Sequence, residues 1–132
     1  MSIEAIMEAS RAGLAYERLR MEAASKNIAA ANMPLAPNAT PVRSEVLNKA
    51  QGFGQYVAGN LVQVNQSNAT TRAVHDPGHP MADAEGMVHY PATDLVQEMT
   101  TLMTASRGYE ANVRAFNLLR GMTMKAIEIG AK

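Results

Sequence analysis

The chain has 132 residues, no cysteine, and twelve basic residues against twelve acidic ones, so its formal net charge is zero. A balanced charge gives no electrostatic footprint for nucleic acid or anionic lipid. The lack of cysteine excludes disulfides, thiolate metal ligands and a cysteine nucleophile. Aromatic residues make up only 5% of the chain, whereas ten methionines supply flexible apolar volume, which suits either a surface that repacks on binding or an ordinary core.

The first predicted element is a long helix over about residues 2–32. Ala, Glu, Met, Leu and Arg dominate this stretch and favour helix, and Pro34 ends it because proline disfavours helical backbone at the preceding Met33. The positions four residues before the apolar ones are Ile3, Ser10, Glu17 and Ala24; small side chains at several of them lead us to expect close packing. Apolar residues recur every seven positions and predict a seam against another helix, namely Met7, Leu14, Met21 and Ile28.

The middle of the chain, residues 34–92, has a turn-rich composition. It contains all six prolines and five of the nine glycines. Gly59-Asn60 could form the turn of a hairpin because both residues tolerate positive φ, and a loop without regular structure is an equal alternative. Short runs that favour strands are 55–57, 61–64, 71–74 and 87–90.

A second long helix is predicted over residues 93–130, with Thr93 or Asp94 as its N-cap. Gly108 and Gly121 interrupt it, and each lowers helix stability by about 1 kcal/mol relative to alanine. Its helicity therefore depends on packing. Its apolar residues recur at spacings of three and four and predict a packing face comprising Leu95, Met99, Leu102, Tyr109, Val113 and Phe116, with Ile127 further along.

These elements predict a mainly α fold in one domain spanning residues 1–132. The helices at 1–33 and 93–130 would pack as an antiparallel, coiled-coil-like hairpin, because each has one apolar face and the chain must return. The segment 34–92 would form a turn-rich insertion with room for a short β-hairpin. The architecture is typical of an assembly subunit.

Catalytic and metal-binding motifs were weighed against this interpretation. His75, Asp76, His79, Asp83 and His89 fall within fifteen residues, but the intervening prolines forbid a regular helix that would align the imidazoles. We therefore favour a turn whose polar groups bond the backbone. The sequence has no nucleophile elbow, dinucleotide fingerprint or phosphate-binding loop, so we expect no catalytic, cofactor or metal residue. The unfavoured alternative is a small metal-dependent enzyme using His75, His79 and Asp83.

Two parts of the chain resemble known proteins. Residues 24–32, ASKNIAAAN, resemble the S-x-N-x-A-x-A signature near the amino terminus of bacterial flagellar axial proteins, the rod and hook family. The blocks at 76–91, 94–99 and 105–113, which read DPGHPMADAEGMVHYP, DLVQEM and ASRGYEANV, are similar to the FlgC-type proximal rod proteins of the flagellar basal body. Residues 37–73 match this family poorly.

The resemblance implies a structural subunit of the rod, the drive shaft that crosses the periplasm and transmits torque for motility. It also implies export through the flagellar type III apparatus without a cleaved signal peptide, and polymerisation with other rod proteins and with further copies. The family's terminal helices form the inner layer of a tube and are poorly ordered before assembly. Neither nucleic acid nor direct membrane insertion is expected. The alternative is another axial or adaptor subunit of a flagellar or type III secretion structure.

Overall fold

Two long helices frame four short strands in the computed structural model, which describes residues 3–48 and 62–131. Helix α1 spans Ile3–Ala30 and helix α2 spans Leu95–Gly130. The strands are β1 (Val42–Asn48), β2 (Val62–Asn68), β3 (Thr71–His75) and β4 (Met87–Pro91). This confirms the mainly α prediction, with two helices and a middle region that contains small antiparallel strand pairs.

The helix boundaries have local chemical causes. Asp94 has an extended backbone, and its Oδ1 accepts hydrogen bonds from the backbone N–H groups of Val96 at 3.0 Å and Gln97 at 3.2 Å, so the predicted cap is confirmed. At the end of α1, the N–H of Met33 donates to the carbonyl of Ala30 at 3.0 Å, which closes the last turn before Pro34.

The two helices pack antiparallel, and two close approaches fix their register. A Cβ atom placed on Gly13 would lie 3.0 Å from Nδ2 of Asn112, and one placed on Gly108 would lie 2.8 Å from Cδ of Glu17. Four residues forward along α1 thus correspond to four residues backward along α2. The same register brings Ile3, the first described residue of α1, opposite Met122.

The core of the described residues consists mostly of alanine. Ala24 and Ala105 are 1% and 0% exposed, and Val88 is the largest side chain among those fully buried. Buried apolar area contributes about 25 cal/mol per Å², so such small side chains supply little hydrophobic stabilisation each. Small residues instead allow the helix backbones to approach closely. The buried apolar residues are Ala23, Ala24, Ala31, Val88 and Ala105.

The strands form two separate antiparallel pairs. β1 pairs with β2 from Val42 opposite Asn68 to Asn48 opposite Val62, and β3 pairs with β4 from Thr71 opposite Pro91 to His75 opposite Met87. Leu35 adds an isolated bridge to His89 on β4. Only two residues separate β2 from β3, so one extended stretch takes part in both pairs.

The strand predictions were partly confirmed. The candidates at 61–64, 71–74 and 87–90 overlap β2, β3 and β4. The candidate at 55–57 and the proposed Gly59-Asn60 turn lie outside the described residues. Strand β1 was not predicted, because contacts with both helices hold it in place.

Asn27 on α1 holds one edge of β1. Its Nδ2 donates to the Ser44 carbonyl at 2.9 Å, and its Oδ1 accepts from the Ser44 N–H, also at 2.9 Å. In an antiparallel pair, alternate residues direct both backbone groups away from the partner strand. The Asn27 amide therefore satisfies the groups of Ser44 that β2 leaves free, as a third strand would. Asn27 itself is only 5% exposed.

Glu98 on α2 holds the neighbouring residue of β1. Its Oε1 accepts from Nε of Arg43 at 3.0 Å and from a terminal guanidinium nitrogen at 2.8 Å. Arg43 also pairs with Glu45. The hydrogen bond to Glu98 is the main reason that the pKa of Arg43 is raised above its ordinary value. Because the Glu98 side chain is 4% exposed, losing Arg43 would leave a buried charge without a partner.

Asn27→Ala is expected to lower the free energy of unfolding by about 1–3 kcal/mol, because the paired backbone groups of Ser44 lose their partner in a partly buried site. Ser25→Ala, an exposed change two residues away, is the control and should shift it by less than about 0.5 kcal/mol. Urea unfolding followed by far-ultraviolet circular dichroism measures both. Equal unfolding midpoints for the two variants would show that the hydrogen bonds between Asn27 and Ser44 do not contribute to stability.

Gly121→Ala should raise the free energy of unfolding by about 1 kcal/mol, since alanine favours helix and a Cβ there meets nothing within 4 Å. Gly108→Ala gains the same helix propensity, but its Cβ must displace Glu17, so we expect a smaller gain or a net loss. The same urea titration compares the two variants. Equal stabilisation by Gly108→Ala and Gly121→Ala would contradict the close approach of the two helices at Gly108.

Candidate assembly surface

The residues predicted to form the helix seam lie along the hairpin, but none is fully buried within it. Most are half-buried, which leaves part of each side chain accessible to another molecule. Met99 is 52% exposed and Ile127 is 63% exposed, so contacts among the described residues leave more than half of each side chain accessible. The half-buried members are Met7, Leu14, Met21, Ile28, Leu95, Leu102, Tyr109, Val113 and Phe116.

The contacts that set the helix spacing involve residues that the seven-residue pattern did not single out. Glu17 faces Gly108, and its carboxylate pairs with Arg20 at 3.0 Å. Asn112 faces Gly13. Of these residues, Glu17 lies four residues before Met21, at one of the positions where close packing was predicted, and Gly13 and Gly108 are the small residues that allow the approach.

Helix α2 exposes an unusual amount of apolar surface. Large exposed patches on a soluble chain mark interaction sites, whereas isolated exposed apolar residues do not. Here the exposed apolar side chains of α2 fall into two groups, one from its first turn to Met103 and one from Leu118 to its last turn. The α2 side chains more than half exposed are Val96, Met99, Met103, Leu118, Met122, Met124, Ile127 and Ile129.

Threonines lie among these apolar residues near the start of α2. The hydroxyls of Thr100 and Thr104 each donate to the backbone carbonyl four residues earlier, both at 2.8 Å, and the Thr101 hydroxyl does so at 3.0 Å. Each hydroxyl donor is thus satisfied within the helix.

A groove with a volume of about 450 Å³ lies at the start of α2. Strand β3 contributes Arg72, whose guanidinium carbon lies 5.0 Å from the centre of the Tyr90 ring. The first turn of α2 contributes Leu95 and Val96, and Val96 is 75% exposed. The other lining residues are Ala31, Asn32, Thr93 and Asp94.

Asp83 organises the loop between β3 and β4. Its Oδ1 accepts from the N–H groups of Met87 and Glu85, each at 2.9 Å, and its Oδ2 lies 3.0 Å from Nε2 of His89. These bonds, led by the one from Met87, lower the pKa of Asp83. The resulting stabilisation is present above the ordinary aspartate pKa and is lost as the pH falls through the lowered value.

The remaining residues of the metal hypothesis have separate surroundings. His75 is exposed at the end of β3, and Nδ1 of His79 accepts from the Met81 N–H at 3.0 Å. Across residues 3–48 and 62–131, no three histidine or carboxylate side chains are grouped so that they could hold a metal ion. The local geometry is that of a hydrogen-bonded turn.

The two long helices were also compared with the requirements for crossing a bilayer. Within the part of the chain that the structure describes, neither has a stretch long and apolar enough for a membrane span. Charged residues interrupt the apolar sequence of these helices, as at Glu110 and Arg114 on α2.

Comparison with known proteins places these surfaces in context. The sequence model of the family described as flagellar basal body rod FlgEFG protein C-terminal matches residues 84–129, which cover β4 and nearly all of α2. The chain is 33% identical over 133 residues to the flagellar basal-body rod protein FlgC of Salmonella typhimurium, covering 98% of this chain and 99% of that protein.

Relatives from other bacteria give similar results. Identity to FlgC of Bacillus subtilis is 34% over 143 residues, covering 94% of this chain and 95% of the relative. Identity to FlgC of Borreliella burgdorferi is 27% over 151 residues, covering 98% of each. From the match along nearly its whole length, the chain belongs to the FlgC family of flagellar basal-body rod proteins.

Proposed function

We propose that the chain acts without enzymatic activity, as a building block that polymerises with other rod proteins and with further copies of itself into the proximal part of the flagellar rod. The observation that carries this proposal is the apolar surface of α2, eight large side chains of which are more than half exposed. Burying such a surface requires other molecules, and membership in a rod-protein family indicates which kind.

The small core supports the proposed route of export through the flagellar type III apparatus, without a cleaved signal peptide, to the periplasm-spanning rod. A chain that passes unfolded through a narrow channel must lose its tertiary structure beforehand. The alanine-rich core and the partly exposed seam give the isolated hairpin little tertiary stabilisation, so unfolding it requires little free energy. Contacts between subunits would then bury the exposed apolar side chains after export.

Within the rod, we propose that the half-buried seam residues become fully buried between neighbouring helix pairs. Repeated, unlike contacts between identical subunits generate a helical assembly rather than a closed ring when the rotation does not close. Torque would pass through many equivalent interfaces of this kind. In this proposal residues 1–132 act as one rod-type domain.

The alternative with the same architecture is another axial or adaptor subunit of a flagellar or type III secretion structure. It is distinguished by the proteins that co-purify with the chain in isolated basal bodies. Proximal rod proteins support the proposal, whereas only components of a secretion needle would favour the alternative.

Deletion of the gene should abolish swimming and leave basal bodies with rings but without rod or hook, as scored by electron microscopy. Leu102→Asp, expressed in the deletion strain, should also fail to restore swimming, because it places a charge in the helix-packing layer. Leu102→Met conserves volume and should restore swimming. Immunoblots should show equal synthesis of both variants.

Normal flagella in the deletion strain would overturn the proposed function. Swimming restored by Leu102→Asp would leave the function in place and contradict the assignment of Leu102 to the packing layer. The two results are therefore distinguishable.

His79→Ala should leave swimming close to wild type, because it removes a single hydrogen bond at an exposed position. Asp83→Ala is the comparison within the same loop and should be more harmful, since it removes three contacts. Swim-plate diameters measure both. A severe defect in His79→Ala, together with stoichiometric metal in the purified wild-type protein, would support the metal-enzyme alternative.

A further inference from the structure

We propose that Met99 and Met103 form an oxidation site of the free chain, at which hydrogen peroxide converts both thioethers to sulfoxides and so prevents the chain from joining the rod. The chemical step depends only on the accessibility of the two side chains. Its consequence for assembly rests on the proposed function, because it requires that this part of α2 is covered in the rod.

Methionine supplies all the sulfur of this chain. Ten methionines accompany no cysteine and no tryptophan, so neither a thiol nor an indole competes for an oxidant. Oxidation to the sulfoxide is reversible by reductases, and it turns a flexible apolar side chain into a polar one. The response of the chain to peroxide therefore depends on which thioethers are accessible.

The described methionines differ in exposure. Those that are more than half exposed are Met33, Met99, Met103, Met122 and Met124. Met99 is 52% exposed and Met103 is 59% exposed, whereas Met7 and Met21 on α1 are half-buried. Because peroxide must reach the sulfur atom, we expect Met99 and Met103 to react before the two methionines of α1.

Met99 and Met103 lie on the side of α2 that faces away from α1. Gly108 marks the side that faces α1, because a Cβ atom placed on it would lie 2.8 Å from Cδ of Glu17. At about 100° per residue, Met99 lies about 180° and Met103 about 140° around the helix from Gly108. Helix α1 therefore does not cover either thioether.

The two thioethers belong to one apolar patch. Their spacing of four residues makes them neighbours on the helix surface, and Val96, three residues before Met99, extends the patch to the first turn of α2. Val96 is 75% exposed. Oxidation would thus place two polar sulfoxides in a patch that is otherwise suited to contact with apolar surface.

Each oxidation transfers one oxygen atom. The methionine sulfur attacks one oxygen of hydrogen peroxide, so that an S–O bond forms and the O–O bond breaks. The proton on the transferred oxygen passes to the departing hydroxide, which gives water. The sulfur loses two electrons and the peroxide gains them. Burying the new sulfoxide oxygen without a hydrogen-bond donor is unfavourable, so the modified chain would bind its neighbours more weakly.

The contacts that hold the hairpin together lie on another side of α2. Glu98 follows Val96 and precedes Met99 in the sequence, but its side chain is buried and binds Arg43 of β1. Ala105 is also fully buried. The sulfoxides would leave these contacts intact, so an effect on assembly can be distinguished from an effect on folding by the unfolding midpoint.

Peroxide treatment of the purified full chain tests the site itself. Peptide mass spectrometry over time should show that sulfoxide forms at Met99 and Met103 at least severalfold faster than at Met7 and Met21. Equal rates at all four methionines, or no sulfoxide at Met99 and Met103, would overturn the proposed site.

Substitution tests the consequence for assembly. Met99→Gln/Met103→Gln keeps the side-chain length and adds a polar oxygen, as the sulfoxide does. In the deletion strain it should reduce swim-plate expansion at least severalfold, with a urea unfolding midpoint equal to that of the wild type. Met99→Leu/Met103→Leu keeps the patch apolar and should restore swimming. Met33→Gln, a control at a methionine that is 63% exposed outside both helices, should also restore it.

Two results would overturn the consequence for assembly. One is normal swimming of the glutamine double variant. The other is a swimming defect that is accompanied by a lower unfolding midpoint, because the defect would then arise from folding. Either result would leave the rod function in place.

Isolated basal bodies provide a further comparison. Under the same peroxide treatment, their copies of the chain should contain at least severalfold less sulfoxide at Met99 and Met103 than the free chain. Equal oxidation in basal bodies would show that the rod does not cover these side chains, and would overturn the inference while the rod function stands. Normal flagella in the deletion strain would instead remove the proposed function itself.

Discussion

The junction at β1 is the constraint on which the rest of the structure depends. Asn27 from α1 and Glu98 from α2 bind neighbouring residues of one strand, so both helices are tied to the middle region at the same place. The first contact is a neutral pair of hydrogen bonds to the backbone, and the second is an ion pair in which the Glu98 side chain is 4% exposed and the Arg43 side chain is 32% exposed. Losing either would free the strand from one helix and leave polar groups without partners in a partly buried site.

Away from this junction, the helices are held by close approach rather than by large side chains. Gly13 and Gly108 let polar side chains from the opposite helix, Asn112 and Glu17, lie against the backbone. This geometry is specific but buries little apolar area, so it defines the register of the hairpin more strongly than it stabilises it. This combination is compatible with the proposed export of the unfolded chain and with ordering on assembly.

The sequence predicted those features that have local causes. Both helices, the Asp94 cap and the strands near 61–64, 71–74 and 87–90 follow from composition, capping chemistry and alternation. Strand β1 was missed because Asn27 and Glu98, distant in sequence, hold it in place. The apolar pattern could not show that Met99 and Ile127 are more than half exposed among the described residues. Glu17 lies four residues before Met21, at one of the positions where close packing was predicted, and Gly108 gives its side chain room there.

The internally bonded threonines of α2 affect what the surrounding surface can touch. Since Thr100, Thr101 and Thr104 donate their hydroxyl protons to their own helix, a partner that covers this surface need not supply an acceptor for them. Their methyl groups can meet apolar side chains much as valine would. The surface can thus be hydrated in the isolated chain and lose its water on contact with a partner, without leaving a hydroxyl donor unpaired.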